Sequence, residues 1–282
     1  MNDRATSSIE MRLLLGALLC AILLAGVYFG LVKTVWGHQF DDDAFLSYKS
    51  FSRKVATLDS DILDRVNGVT LSGAAIVLLI IAAARGCKSV GVIAVVGCGC
   101  AVVGAEILKK VLPWRALLVE DLVLERGFQM NTYPSGHATI GTSLVLSLIL
   151  VSSSLWRPWL TIAGSFISAT FAIGVLFAGW HRPSDAIGAL AWSGFCMSVA
   201  GAVAIRLRGR PVPMIAHPAR AAFGSLVLSI FLVTGTWLIA AAAPPVHGHA
   251  GLPFFVLAGL MIGGAFSLVA WYGWELRAVD WV

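Results

Sequence analysis

The sequence contains few charged residues. Asp, Glu, Lys and Arg make up 12% of the 282 residues, whereas hydrophobic residues make up 58%. A soluble domain carries about 25% charged residues, so this composition excludes an ordinary soluble globular protein and indicates a chain that is integral to a membrane. The net charge of +5 is modest, and there is no run of Lys and Arg, so no nucleic-acid partner is expected.

Cysteine is also scarce. The five cysteines all lie in or beside apolar segments, which does not suggest a disulfide framework. Cys98-Gly-Cys100 lacks the spacing and the partner ligands of a metal site, so we interpret it as a helix contact made by small residues. Neither a metal nor another cofactor is expected from these residues.

Apolar segments are abundant. Eight of them follow one another along the chain. Each has ~20 residues, which is the length needed to cross a bilayer. Long runs without alternation predict helices, because only helices and closed barrels satisfy their backbone in hydrocarbon. The predicted fold class is therefore all-α, a polytopic membrane helical bundle, in which the first segment is a retained anchor. The segments are 12–33, 69–86, 89–108, 138–155, 159–180, 186–205, 221–243 and 252–274.

Short loops indicate the orientation of the bundle. Arg85 and Lys88 lie in one loop, Arg157 lies in another, and four arginines lie in the loop 206–220. The positive-inside bias makes these loops and both termini cytoplasmic. We expect a multi-pass protein of the plasma membrane whose extracytoplasmic segments are 34–68, 109–137, 181–185 and 244–251.

Four cations oppose this bias: Lys109, Lys110, Arg115 and Arg126 lie on the extracytoplasmic side. An anionic substrate would explain such a cluster. The alternative is that Lys109 and Lys110 extend from a helix end to the interface, which accounts for two of the four.

The segment 34–68 is polar and is predicted to be a helical external segment. Its acidic residues include the run from Asp41 to Asp43 and a second group at Asp59, Asp61 and Asp64. We interpret them as a solvated, charged face. The alternative, a calcium site, would need loop glycines that this spacing does not supply.

One motif stands at the start of the fourth apolar segment. In Pro134-Ser-Gly-His137, the proline fixes the backbone, Gly136 permits close approach, and a helix follows. The unpaired N–H groups of a helix start attract an anion. Ser135 adds a hydroxyl donor, and His137 is placed to give or take a proton. The alternative is that Ser135 only caps the helix and that His137 only lies at the membrane interface.

A second motif precedes the sixth segment. In His181-Arg-Pro-Ser-Asp185, Pro183 suits the first turn of a helix. His181 and Asp185 are four residues apart, so the carboxylate can accept the imidazole N–H and make the other ring nitrogen nucleophilic. The alternative is that Asp185 is a simple helix cap.

The two motifs lie at opposite ends of one predicted hairpin of two membrane helices, which returns His137 and His181 to the same membrane face. One histidine able to attack, one able to protonate a leaving group, and nearby cations fit phosphoryl transfer. We expect this chemistry to be metal-free, because the sequence places no carboxylate cluster beside these histidines.

At these residues the chain resembles the type 2 phosphatidic acid phosphatase (PAP2) superfamily, also called lipid phosphate phosphatases. Asn131-Thr-Tyr-Pro-Ser-Gly-His137 matches the second of three family motifs, and Gly179-Trp-His181-Arg-Pro-Ser-Asp185 matches the end of the third. The resemblance covers roughly 69–205 and implies a six-helix core. We therefore expect a PAP2-like core at 1–208 and two additional transmembrane helices at 209–282.

The resemblance implies a role for each matched residue. His181 would be the nucleophile, Asp185 its orienting partner, and His137 the acid that protonates the leaving oxygen. Ser135 and Gly136 would hold phosphate oxygens.

Two departures from the family pattern concern phosphate binding. The family's third-motif arginine, six residues before the nucleophile, is replaced by Val175. The first motif is out of register, so Arg115 would serve one position late, with Lys109 or Lys110 as the companion cation. The candidates to replace the missing charge are Arg126 and Arg182.

The expected function is an integral membrane phosphatase that hydrolyses lipid phosphate or diphosphate esters through a phosphohistidine, without cofactors. Its partner would be a lipid phosphate in the bilayer, met at the extracytoplasmic face. One alternative is a lipid phosphotransferase that uses the same intermediate. Another is a catalytically silent lipid-binding or transport protein, which the departures at Val175 and Arg115 favour.

Overall fold

A computed structural model describes residues 2–46, 63–113, 131–211 and 251–282. These ranges contain eight α-helices and two short strands. The α-helices are α1 (Asn2–Val27, continued by a π-helical turn at Tyr28–Val32), α2 (Val35–Leu46), α3 (Gly68–Ala84), α4 (Lys88–Val111), α5 (Gly136–Val151), α6 (Arg157–Phe177), α7 (Pro183–Arg208) and α8 (Leu252–Leu276). Two short strands, β1 (Arg210–Pro211) and β2 (Val279–Asp280), pair antiparallel.

The described helices confirm the predicted polytopic bundle. Five of them are long and apolar enough to cross a membrane, namely the continuous helix Thr6–Val32, α4, α6, α7 and α8. The helices α3 and α5 are apolar but shorter, with 17 and 16 residues.

The predicted segments agree with the helices wherever the structure describes them. Seven of the eight coincide with a helix, and the eighth, 221–243, lies outside the described residues. The largest difference is at α1, which begins at Asn2 rather than near residue 12. Its polar first turns are tied to the bundle, because Arg12 donates to Ser8 at 2.7 Å and to Glu275 of α8 at 2.6 Å.

The helix α7 lies at the centre of the bundle. It packs against α1, α4, α5 and α8, while α8 also packs against α6 and α2. Small residues allow the close crossings: the ring of Tyr133 lies directly on Gly188, and its hydroxyl donates to the carbonyl of Leu24 at 2.6 Å. This packing fixes the first turn of α7 beside the segment that leads into α5.

The external segment 34–68 is corrected in part by the structure. Its helical character is confirmed at α2, whereas Asp59 and Asp61 lie outside the described residues. The interpretation of its acids as a solvated face is wrong for Asp41 and Asp42, which are 0% and 5% exposed, and fits only Asp43 of that run. The first two carboxylates are buried because they bind the start of α7.

Candidate active site

The first turn of α7 is organised around the carboxylate of Asp185. Pro183 occupies the start of the helix, as its fixed φ favours. Asp185 is fully buried. Its Oδ2 accepts hydrogen bonds from the backbone N–H of Arg182 at 3.2 Å and from the Thr132 hydroxyl at 2.6 Å. His181 Nδ1 lies 3.3 Å from the same oxygen. A buried carboxylate held by several donors has a fixed position and can orient the imidazole.

The backbone before His181 is held as firmly as the side chain. Gly179 adopts φ +70°, a left-handed conformation that suits glycine. After this turn, the N–H groups of Trp180 and His181 both donate to the carbonyl of Val175, at 3.0 and 3.1 Å. With Nδ1 directed at Asp185, Nε2 is the ring nitrogen that remains for chemistry.

The start of α5 meets the same turn. Ser135 is buried, and its Oγ accepts from the Ala138 N–H at 3.5 Å, so the residue does cap the helix. Its own N–H donates to the backbone carbonyl of Asp185 at 2.9 Å. This backbone bond joins the two sequence motifs directly.

His137 lies in the first turn of α5, ahead of the apolar stretch that begins at Ala138 and therefore outside the membrane-spanning part. Its ring is 5.1 Å from the ring of Trp180, the neighbour of His181. Burial lowers the pKa of His137 below its ordinary value of 6.5, and the neighbouring His181 and Lys109 lower it further. The two histidines are thus close enough to act on each other electrostatically.

A cation lies over the glycine of the first motif. A Cβ on Gly136 would lie 3.2 Å from Lys109 Nζ and 2.9 Å from Glu106 Oε1. The Lys109 ammonium donates to Glu106 at 2.6 Å. The close approach of these two side-chain ends from α4 places Lys109 beside the first turn of α5.

The remaining predicted site residues lie at the end of α4, at the start of α7, in the apolar core or outside the described residues. Lys110 is exposed at the same end of α4, and Arg182 Nε donates to Asp42 of α2. Val175, at the position of the family arginine, is fully buried in an apolar cluster, so its side chain is part of the core. Arg115 and Arg126 lie outside the described residues.

Several residues of the site were missed by the sequence analysis. Thr132 contacts Asp185, Glu106 pairs with Lys109, and Asp41 and Asp42 contact the start of α7. Thr132 stands inside the first matched string and Glu106 is one helical turn before Lys109, so proximity in sequence offered a signal for both. Nothing in the sequence indicated that α2 would reach residues some 140 positions away.

The described arrangement suits attack on a phosphorus atom. It combines an oriented imidazole, a second imidazole of lowered pKa, a lysine and a helix start, all at one end of the bundle. Within the described ranges, no group of three or more His, Cys, Asp or Glu residues is placed to hold a metal ion.

Comparison with known proteins agrees with this reading. Residues 86–210 match the family model of the PAP2 superfamily, a superfamily that covers phosphatases. This stretch includes α4 to α7, and therefore both histidines, Asp185 and Lys109. No curated protein and no solved structure matches the chain.

Proposed function

We propose, from the premise that residues 86–210 belong to the PAP2 superfamily, that this membrane protein hydrolyses phosphate or diphosphate esters of lipids. The observation that carries the proposal is the contact of His181 Nδ1 with the buried carboxylate of Asp185, 3.3 Å away, beside His137 and Lys109. This geometry gives each group one step of a phosphoryl transfer.

In the first step His181 attacks the ester. Its Nδ1–H is held by Asp185, so the lone pair of Nε2 forms a bond to phosphorus while the bond from phosphorus to the lipid oxygen breaks. Protonated His137 gives its proton to that leaving oxygen, which departs as the lipid alcohol. Asp185 stabilises the positive charge that the phosphorylated ring carries.

In the second step water replaces His181 on phosphorus. Neutral His137, having given up its proton, takes one from the attacking water. The N–P bond breaks, inorganic phosphate leaves, and both histidines return to their starting protonation states. The lowered pKa of His137 favours the neutral form that this step needs.

Phosphate oxygens would be held where α4 and α5 meet. The N–H groups at the start of α5 attract an anion, the Ser135 hydroxyl lies in the same turn, and Lys109 lies over Gly136. We include Lys110 and Arg115 as further cations of this cradle and Arg126 as the candidate to replace the charge missing at Val175. Arg182 is not counted among these cations, because its guanidinium is engaged by Asp42.

A groove between α1, α7 and α8 supports the proposal that the substrate is an ester of a lipid rather than a soluble ester. Its volume is ≈ 520 Å³ and its lining is mostly apolar. It includes Ile187, two residues after Asp185, and continues along α1 to Leu15. An acyl or prenyl tail lying there would place its headgroup near the start of α7.

The experiment is phosphate release by the purified protein in detergent. Phosphatidate, phosphatidylglycerol phosphate and a polyprenyl diphosphate are supplied separately, each with and without EDTA. We expect release from at least one lipid, unchanged by the chelator. His181→Ala should lower kcat by about 10³-fold or more, and Asp185→Asn by about 10²-fold. Asp43→Asn, an exposed acid of α2, is the matched control and should keep full activity.

Three results would contradict the proposal. Full turnover by His181→Ala excludes this histidine as the nucleophile. Transfer of phosphate to an added alcohol in preference to water identifies a phosphotransferase. Retained lipid binding with no release from any lipid identifies a silent binding protein, the alternative that the buried valine at position 175 favours.

A further inference from the structure

Two carboxylates of α2 are buried against the candidate active site. Asp41 and Asp42 are 0% and 5% exposed, whereas Asp43 beside them is exposed. Burying a carboxylate costs several kcal/mol unless charged or hydrogen-bonding partners compensate. Their partners therefore show what this part of α2 is built to hold.

Both carboxylate oxygens of Asp41 bind Ser184. Oδ1 accepts the Ser184 N–H at 2.9 Å, and Oδ2 accepts the Ser184 hydroxyl at 2.6 Å. Ser184 immediately precedes Asp185, whose backbone carbonyl accepts the Ser135 N–H. Asp41 is thus linked through Ser184 to the orienting residue Asp185, and through Ser184 and Asp185 to the start of α5.

Asp42 holds the other side of the same turn. Its Oδ1 accepts from Arg182 Nε, and its Oδ2 lies 3.1 Å from His38 Nε2. The Arg182 guanidinium also lies over the ring of Phe45, 5.6 Å from its centre. Burial raises the pKa of Asp42, but the His38 hydrogen bond and the charge of Arg182 outweigh it and lower the pKa below its ordinary value.

We propose that α2 is a positioning element for the active site, in which Asp41 and Asp42 hold the turn from His181 to Asp185 from outside. The inference rests on the proposed function for its consequence in catalysis. The proposed reaction gives neither carboxylate a bond to form or a proton to transfer. They act through Ser184 and Arg182, which flank Pro183 between the nucleophile and its orienting partner.

The physical reason is that in-line attack tolerates little error in position. A displacement of about 1 Å can cost on the order of 10²-fold in rate, and loss of an outer hydrogen-bonding partner typically costs about 10- to 100-fold. The carbonyl of Val175 fixes the backbone before His181. The carboxylates of α2 fix the backbone after it, so the imidazole is held from both sides.

Hydrogen exchange tests the positioning without any activity. We expect Asp41→Ala and Asp42→Asn to accelerate amide exchange about tenfold in the peptide that contains residues 181–186, measured by mass spectrometry on the detergent-solubilised protein. Asp43→Asn is the matched control and should leave exchange as in the wild type. Arg182→Gln, which removes the charge from the other side, should give the same acceleration as Asp42→Asn.

Kinetics test the consequence for catalysis. Asp42→Asn and Arg182→Gln should each lower kcat by about 10- to 100-fold with KM changed less than twofold, and the double variant should be no slower than the worse single one. Asp42→Glu, which keeps the charge, should recover part of the loss. Asp43→Asn should match the wild type in both constants.

The outcomes separate this inference from the proposed function. Wild-type exchange rates in both Asp41→Ala and Asp42→Asn would overturn the positioning role, as would accelerated exchange with an unchanged kcat. An inactive wild-type protein would refute the proposed function instead, and exchange would then decide by itself whether α2 holds the turn. Thermal unfolding of each variant identifies any variant that fails to fold. In that case the exchange rate and kcat of Arg182→Gln decide whether α2 has the positioning role.

Discussion

At the scale of single residues, the site depends on charges that oppose one another around His137. The neighbouring His181 and Lys109 lower its pKa, whereas Asp64 and Glu106 raise it, and burial lowers it more than any of them. Lys109 and Glu106 are paired at 2.6 Å, so this pair sets part of the proton affinity of the proposed acid.

This balance predicts the pH dependence of the reaction. His137 must be protonated to assist the leaving group, so kcat/KM should fall as pH rises through a pKa below 6.5. Lys109→Met removes a positive charge, so the descending limb of the pH profile should move to higher pH. Glu106→Gln removes a negative charge, so the same limb should move to lower pH. We expect both shifts to be small, because solvent screens partly exposed groups.

The check is the pH profile of phosphate release by the wild type and the two variants. The two shifts have opposite signs, so a general loss of stability cannot imitate them. A limb that stays in place in both variants, or moves in the same direction in both, would remove His137 from the role of the titrating acid.

At the scale of helices, the crossing of α4 and α7 positions the cation of the site. A Cβ on Gly104 would lie 2.4 Å from the ring of Trp192, whose Nε1–H donates to the carbonyl of Ala101 at 2.8 Å. Gly99, on the same helix, has open space at its Cβ position. The indole therefore packs closely against α4, about one turn before Lys109.

We expect Gly104→Ala to destabilise the protein by about 1–3 kcal/mol, because overpacking displaces the indole. Gly99→Ala should be neutral or stabilising by up to about 1 kcal/mol, since alanine favours a helix. The measurement is thermal unfolding in detergent. In a Trp192→Phe background, the smaller ring should remove most of the Gly104→Ala penalty, and an undiminished penalty would show that the indole is not its cause.

Helices were the most predictable feature of this chain, and contacts between distant helices were the least. Hydrophobic runs located α3 to α8 within a few residues, because only a helix satisfies the backbone of such a run in lipid. The i, i+4 spacing also identified the contact of His181 with Asp185. Asp41 and Asp42 were misinterpreted because three adjacent acids look alike in sequence, whereas the position of each around α2 decides which two are buried.

At the scale of the whole molecule, the two ends of the bundle differ in charge. Arg85 pairs with Asp280 at 2.6 Å, and β1 pairs with β2, so the residues that follow α7 and the C-terminal residues lie at one end. Buried Arg157 joins the same end, where it donates to the carbonyls of Ser152 and Leu276 at 2.7 and 2.6 Å. The opposite end carries the candidate active site.

This distribution predicts which end faces the cytoplasm. Arginines of short loops favour the cytoplasmic side, so the end with Arg85 and Arg210 should be inside and the active site outside. The exposed residue Arg65 precedes α3 at the active-site end, where neighbouring Asp64 influences the pKa of His137. Exposed Arg208 ends α7 at the other end.

Cysteine labelling tests this orientation. In a protein whose exposed Cys100 is replaced by Ser, Arg65→Cys should react with a membrane-impermeant maleimide on intact cells. Arg208→Cys should react only after the cells are permeabilised, because its thiol faces the cytoplasm. The reverse pattern would place His137 and His181 inside the cell, and a lipid phosphate of the inner leaflet would then be the substrate to test.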